Sequence, residues 1–180
     1  MSAGYDAENA RRSFSLNARC YTDPQFLSFE QKSIFTNSWQ WVCHIERLRE
    51  PGAYFVADVH GRSIAVVRAM DGNLRGFYNV CQHRAHALLA GEGNINVITC
   101  PYHAWTYALD GRLVNAPMTQ HLDNFDKNEI CLSGVQVEEF CGFVYVNLEP
   151  DAESLASQSG DLKNEIEEFA PDVERLTFAH

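Results

Sequence analysis

Apolar spacing changes rhythm twice along the 180 residues. Phe26, Leu27, Glu30, Ile34 and Phe35 fall at helical intervals, and Asp23-Pro24 ahead of them supplies an N-cap followed by a helix-opening proline. A helix running to Asn37 is expected. From residue 39 the period shortens. Segments 41–44, 54–60, 63–70 and 74–80 are short β-favouring runs, punctuated by the turn pairs Pro51-Gly52, His60-Gly61 and Asp71-Gly72. Strand patterns resume at 97–99, at 105–109 and, past Asp110-Gly111, at 113–116. Segments 134–140 and 142–148 form a hairpin candidate around Cys141-Gly142. After Pro150 the composition turns to Ser, Glu, Asp and Lys. There Leu162, Ile166 and Phe169 mark one amphipathic helix, stopped by Pro171.

Many short strands with turns at close intervals describe a chain dominated by β-structure, a small antiparallel barrel or sandwich with helices at both ends. Three parts are expected: a polar extension and helix over 1–37, with 1–19 loosely ordered; the β-domain over 38–150; and an acidic helical linker over 151–180. Trp39, Trp41 and Trp105 are expected in the core. Cys20, Cys43, Cys131 and Cys141 have no ligand-like spacing and are expected as buried thiols. His44, His60 and His121 are expected to have ordinary strand or loop partners, and the acidic run 165–168 to be a solvated helix face.

Charge narrows the function. Fourteen Lys and Arg against 24 Asp and Glu give a formal charge of −10, which disfavours phosphate neutralisation and hence nucleic acid, and equally an anionic membrane surface. No apolar run is long enough to span a bilayer. Arg11-Arg12-Ser13-Phe14 resembles a twin-arginine signal, but the stretch behind it is polar, so the pair is read as solvated charge and the chain as cytoplasmic. Six cysteines in that setting are expected as thiols or metal ligands.

Two of them have histidine neighbours. Cys81-Gln82-His83 and Cys100-Pro101-Tyr102-His103 lie sixteen residues apart in the β-rich region. Each pair places a soft thiolate and an imidazole together on a loop. Two such loops facing each other can grip two sulfide-bridged irons, with both cysteines on one and both histidines on the other. A Cys2His2 zinc site uses the same ligand types, but usually as Cys-x2-Cys and His-x3-His on a hairpin and a helix.

At these residues the chain resembles the Rieske family, and the resemblance extends over about residues 20–150. It implies an antiparallel β-domain whose cluster sub-domain presents a [2Fe–2S] group at one tip, with the stretch 111–117 covering it. Respiratory Rieske proteins add a disulfide between the two loops. Its positions are His86 and Tyr102 here, and the serine of their second loop is also absent. The resemblance is thus to the low-potential oxygenase or ferredoxin kind. The N-terminal helix, the segment 39–44 and the strings 81–86 and 100–107 resemble an oxygenase α subunit of the branch that oxidises betaines and carnitine. Ala85 departs from the glycine common in the wider family. Arg84, His86, Tyr102, Trp105 and Pro117 are candidates for contacts around the ligands.

The same resemblance implies a mononuclear Fe(II) bound by two histidines and a carboxylate in a C-terminal domain. No histidine pair four residues apart occurs here, and His180 at the chain's end has no partner. The sequence is therefore expected to be the N-terminal portion of a longer subunit. The family's pattern further implies trimers, electron exit through His103 to a neighbour's iron, and reloading by a flavin- and NAD(P)H-dependent reductase. A free-standing Rieske ferredoxin and a zinc-stabilised binding module remain the other readings.

Overall fold

The computed structural model describes residues 15–177. Arg11-Arg12-Ser13-Phe14 and His180, singled out in the sequence, lie outside the described residues. Asp23 caps the helix as its sequence implies, its carboxylate accepting the Gln25 N–H at 2.9 Å with Pro24 in the first turn. The helix α2 (Pro24–Ser33) is preceded by a single helical turn, α1 (Arg19–Thr22), which begins where the stretch expected to be loose ends. It is followed by a 3-10 turn, Phe35–Asn37.

Among the described residues ten strands follow in chain order. They are β1 (Gln40–His44), β2 (Ala53–Val59), β3 (Arg62–Arg68), β4 (Leu74–Tyr78), β5 (Glu92–Asn94), β6 (Ile98–Thr99), β7 (Thr106–Tyr107), β8 (Leu113–Asn115), β9 (Gly134–Phe140) and β10 (Phe143–Asn147). Seven form one curled antiparallel sheet in the order β1-β10-β9-β4-β3-β2-β5, and β6-β7-β8 form a second, small one. This is the half-barrel architecture the strand pattern implies. β5 escapes the sequence pattern because Glu92-Gly93-Asn94 is polar and exposed. It is a strand only because it pairs with Ala53, Tyr54 and Phe55 of β2.

Two hydrophobic cores flank the large sheet. One gathers Val42, Leu48, Ile64, Val66, Val144 and Val146. The other gathers Val67, Phe77, Cys81, Leu88, Cys100, Trp105, Tyr107 and Leu113. Ile64, Ala65, Val66 and Val67 of β3 are all buried. β3 is thus covered on both faces, and its apolar residues run without alternation.

After β10 the chain forms α3 (Leu155–Gln158) and α4 (Leu162–Phe169), then a 3-10 turn, Val173–Arg175, that returns to the sheet. There the ring of buried His44 meets the Val173 carbonyl at 3.1 Å through Nε2, while its Nδ1 accepts the Glu46 N–H at 3.2 Å. Gly142, at φ +78, lets the Glu174 backbone approach so closely that a Cβ would sit 2.8 Å from its Cα. Residues 165–168 are solvated apart from half-buried Ile166.

Trp105 is core, as expected, but Trp39 is only half-buried and Trp41 is 59% exposed. Trp41 alternates outward on β1 while Val42 and Cys43 face in, across a bulge between Trp41 and Cys43. Cys43 and Cys141 are buried thiols; Cys20 is half-buried and Cys131 exposed, contrary to expectation. Cys131 belongs to an isolated bridge with Arg112 at the rim, where no strand covers it. His60 stacks on Phe35 and meets Gln40 Oε1 at 3.0 Å, and His121 lies in an exposed loop. Among the described residues no helix is long and apolar enough to cross a membrane.

Candidate metal centre

The two Cys/His pairs lie on two loops with the same backbone frame. The first follows β4; the second links β6 to β7. In the first, the Cys81 N–H donates to the His86 carbonyl at 2.8 Å and the Ala85 N–H to the Cys81 carbonyl at 3.0 Å. In the second, the Cys100 N–H donates to the Trp105 carbonyl at 2.8 Å and the Ala104 N–H to the Cys100 carbonyl at 3.0 Å. Ala85 (φ 52) and Ala104 (φ 56) take the left-handed conformation that lets each loop close on itself. Within this shared frame the histidine stands two residues after the cysteine in one loop and three after it in the other.

The side chains converge. Both thiols are buried in the core that contains Trp105, Tyr107 and Leu113. The rings of His83 and His103 stand edge to face with centroids 4.8 Å apart. His83 stacks on Trp105 at 4.7 Å with an 8° tilt, and Trp105 meets Phe125 edge-on at 5.7 Å. Tyr102, 55% exposed, lies over His103 at 3.7 Å. Loss of hydration, reinforced by His83, Arg84 and His86, lowers His103 below the ordinary imidazole range.

Among the described residues three buried side-chain polar atoms lack a hydrogen-bond partner: His83 Nδ1, His103 Nδ1 and Asn147 Nδ2. The two imidazole nitrogens belong to the two rings that face each other. An orphaned buried nitrogen costs about 1–3 kcal/mol, so a pair of them marks where a ligand binds. Two buried thiols and two imidazole lone pairs are the donor set of a mixed-ligand [2Fe–2S] group. Among the described residues no three His, Cys, Asp or Glu side chains close on one point as a single zinc ion demands.

Of the other candidates, Arg84 and His86 are exposed beside the loops. The His86 ring is 5.6 Å from that of Tyr102, and its Nδ1 lies 2.6 Å from the Ala87 carbonyl. Pro117 is half-buried beyond β8, and its neighbours Leu113 and Ala116 pack into the core behind the thiols. Sequence reasoning missed Tyr107. Its fully buried hydroxyl lies 3.2 Å from Cys81 Sγ and accepts the Gln82 N–H at 3.1 Å. Burial, then the contact with Cys81, pushes the phenol above its usual range. The signal for it was a tyrosine two residues past the buried Trp105 on one strand: a buried hydroxyl seeks a partner, and the thiol is the one in reach.

Known proteins extend this description. The sequence profile of the Rieske [2Fe–2S] domain matches residues 38–126. The carnitine monooxygenase oxygenase subunit of Escherichia coli K12 is 41% identical over 172 residues, covering 95% of this chain and 46% of that protein. The chloroplastic choline monooxygenase of Spinacia oleracea is 33% identical over 159 residues, covering 88% of this chain and 35% of that protein. The apo form of the quaternary ammonium Rieske monooxygenase CntA superposes with a TM-score of 0.90 at 37% identity, over 93% of this chain and 49% of that one. A naphthalene 1,2-dioxygenase superposes at 0.79 and 30% identity, over 86% and 36%. The chain thus spans less than half the length of these relatives. It therefore contains a Rieske [2Fe–2S] domain, and the proteins it resembles over most of its own length are oxygenases.

Proposed function

We propose that Cys81 and Cys100 hold one iron and His83 and His103 the other, and that this domain relays electrons within an oxygenase subunit. When bound, the cluster supplies reversible storage of one electron. The observation that carries the assignment is the pair of orphaned Nδ1 atoms on facing rings, carried by the same two loops as two buried thiols. The chain's own residues keep the two loops in register, exclude water from the thiols and donate a hydrogen bond from Tyr107 to Cys81.

His103 is the exit contact. His83 is enclosed by Trp105, itself backed by Phe125, whereas His103 has only the half-exposed Tyr102 over it. Residues 38–150 form the electron-transfer domain and 151–180 lead to a catalytic domain with a mononuclear Fe(II). By likeness to the carnitine and choline enzymes, the substrate is a quaternary ammonium compound, hydroxylated or demethylated with O2. A flavin- and NAD(P)H-dependent reductase reloads the cluster, and the whole subunit works as a homotrimer. None of the six cysteines is joined in a disulfide, which suits a reducing, cytoplasmic setting.

Iron and acid-labile sulfide in purified variants test the ligand set. Cys81→Ser and Cys100→Ser are expected to lose both, because a hydroxyl replaces a soft thiolate poorly. Cys20→Ser and Cys141→Ser are expected to retain them. Full iron in the Cys81 variant would remove that residue from the site.

A further inference from the structure

Asn79 lies just past β4, two positions before Cys81, and is 2% exposed. Every hydrogen-bonding position of its carboxamide is used. Nδ2 donates to Ser63 Oγ at 3.0 Å and to the Leu89 carbonyl at 2.8 Å. Oδ1 accepts the Leu88 N–H at 3.2 Å and the Leu89 N–H at 2.9 Å. Its backbone N–H adds a bond to the Ser63 carbonyl at 2.9 Å. One side chain therefore ties the outgoing limb of the first cluster loop to its incoming limb, and both to β3. Inside this closure Val80 bridges Ala87 and the Cys81 N–H meets the His86 carbonyl. Leu88, held by Asn79, packs in the same core as Cys81, Cys100, Trp105 and Tyr107.

Two donors on one side of a buried group and acceptors on the other admit only an amide in one orientation. A carboxylate would face the Leu89 carbonyl with an oxygen, and an alanine would leave four polar groups of the loop and β3 without their partner. We propose that Asn79 is a positioning residue for the iron–sulfur centre, a clamp that fixes where the first loop presents Cys81 and His83 to the second. The proposal rests on the assignment of those two residues as ligands. Asn79 itself touches no ligand atom; it acts through the two limbs it joins.

A merely structural role would lie in the Ser63 contact, which stitches the end of β4 to β3. Ser63→Ala removes that contact and leaves the three bonds to Leu88 and Leu89. The measurements use the full, cluster-loaded chain: the EPR g values of the dithionite-reduced centre, and the rate of bleaching by an iron chelator. Asn79→Ala is expected to shift the g values and to bleach at least tenfold faster. Ser63→Ala is expected to keep the parental spectrum and to bleach within twofold of the parent. Parental g values and bleaching in Asn79→Ala overturn the proposal, as does a Ser63→Ala variant that reproduces the whole effect. If Asn79→Ala does not fold, hydrogen exchange of the parental chain decides. Peptides spanning 87–90 are expected to exchange as slowly as β4, and exchange as fast as the exposed loop 119–124 overturns the clamp. Failure of the ligand assignment is separate, because Cys81→Ser would then keep its iron whatever the Asn79 variants do.

Discussion

Tyr107 and the cysteines show what single side chains decide. A donor to a ligand sulfur favours the reduced, more negative centre. Tyr107→Phe is therefore expected to keep the iron and lower the midpoint potential by tens of millivolts, about 59 mV for each tenfold change in the one-electron equilibrium. Voltammetry beside the parent checks this, and an unchanged potential would deny the hydrogen bond a redox role. The sequence suggests a low potential from the missing serine and disulfide; Tyr107 offsets part of that deficit. Among the thiols off the centre, exposure separates what spacing could not. Cys131 and Cys20 are expected to be alkylated in the native protein, whereas buried Cys43 and Cys141 remain unmodified. Burial pushes the Cys43 thiol up to about 12 and also raises Cys131, which Asp110 reinforces. Raised values leave less thiolate at neutral pH. Labelling of Cys131 is thus expected to be slower than that of free cysteine at pH 7 and to catch up only above the ordinary thiol range. Mass spectrometry against time and pH reads both statements.

At the scale of the elements, short β-favouring runs bounded by Gly-containing turns were legible from residue types and order alone. β3 and the β9–β10 hairpin stand where the pattern puts them. β5 was not legible, because its pairing with β2 and not its residues makes it a strand. Nor was the bulge in β1 that turns Trp41 outward. The Cys/His spacing located both loops, since ligand types and separations are written in the chain. Their matched backbone frame was not legible, because it depends on hydrogen bonds and on two alanines with positive φ. That frame predicts a stabilising substitution. The left-handed conformation costs a side-chain-bearing residue about 1–2 kcal/mol, and glycine's greater unfolded freedom returns roughly 0.5–1 of it. Ala85→Gly, at an exposed position, is expected to stabilise the domain by about 0.5–1 kcal/mol. Denaturant midpoints of the cluster-loaded proteins would register it, and a lower midpoint would mean that the Ala85 methyl makes contacts worth more than the strain.

For the whole molecule, the fold class was legible, while the sheet order was not. The neighbours β9 and β4, far apart in sequence, meet where Gly76 opposes Val135 and Phe77 opposes Gly134. The polypeptide is expected to take up electrons yet oxygenate nothing. Its sequence has no histidine pair four residues apart, and two of its seven histidines are the proposed cluster ligands. Supplied with a competent reductase, NADH, oxygen and a panel of betaines, it should change its visible spectrum and give no product above the reductase-only control. Stoichiometric product would reveal a second iron site within these 180 residues.

β3 is a party wall. Ile64 and Val66 belong to one core, Val67 to the other, and Cys81 and Cys100, the proposed ligands, lie on the second side alone. The two rooms therefore have different tenancies. The one behind Val42, Val144 and Val146 is furnished entirely by the chain, so its cohesion owes nothing to iron. The other has buried thiols and imidazole nitrogens in its lining and is completed only when its occupant arrives. A domain divided in this way is expected to keep one half packed when the other loses its contents. Oxidative loss of the centre would then vacate one chamber while the shared wall and the house behind it stand, ready to be let again.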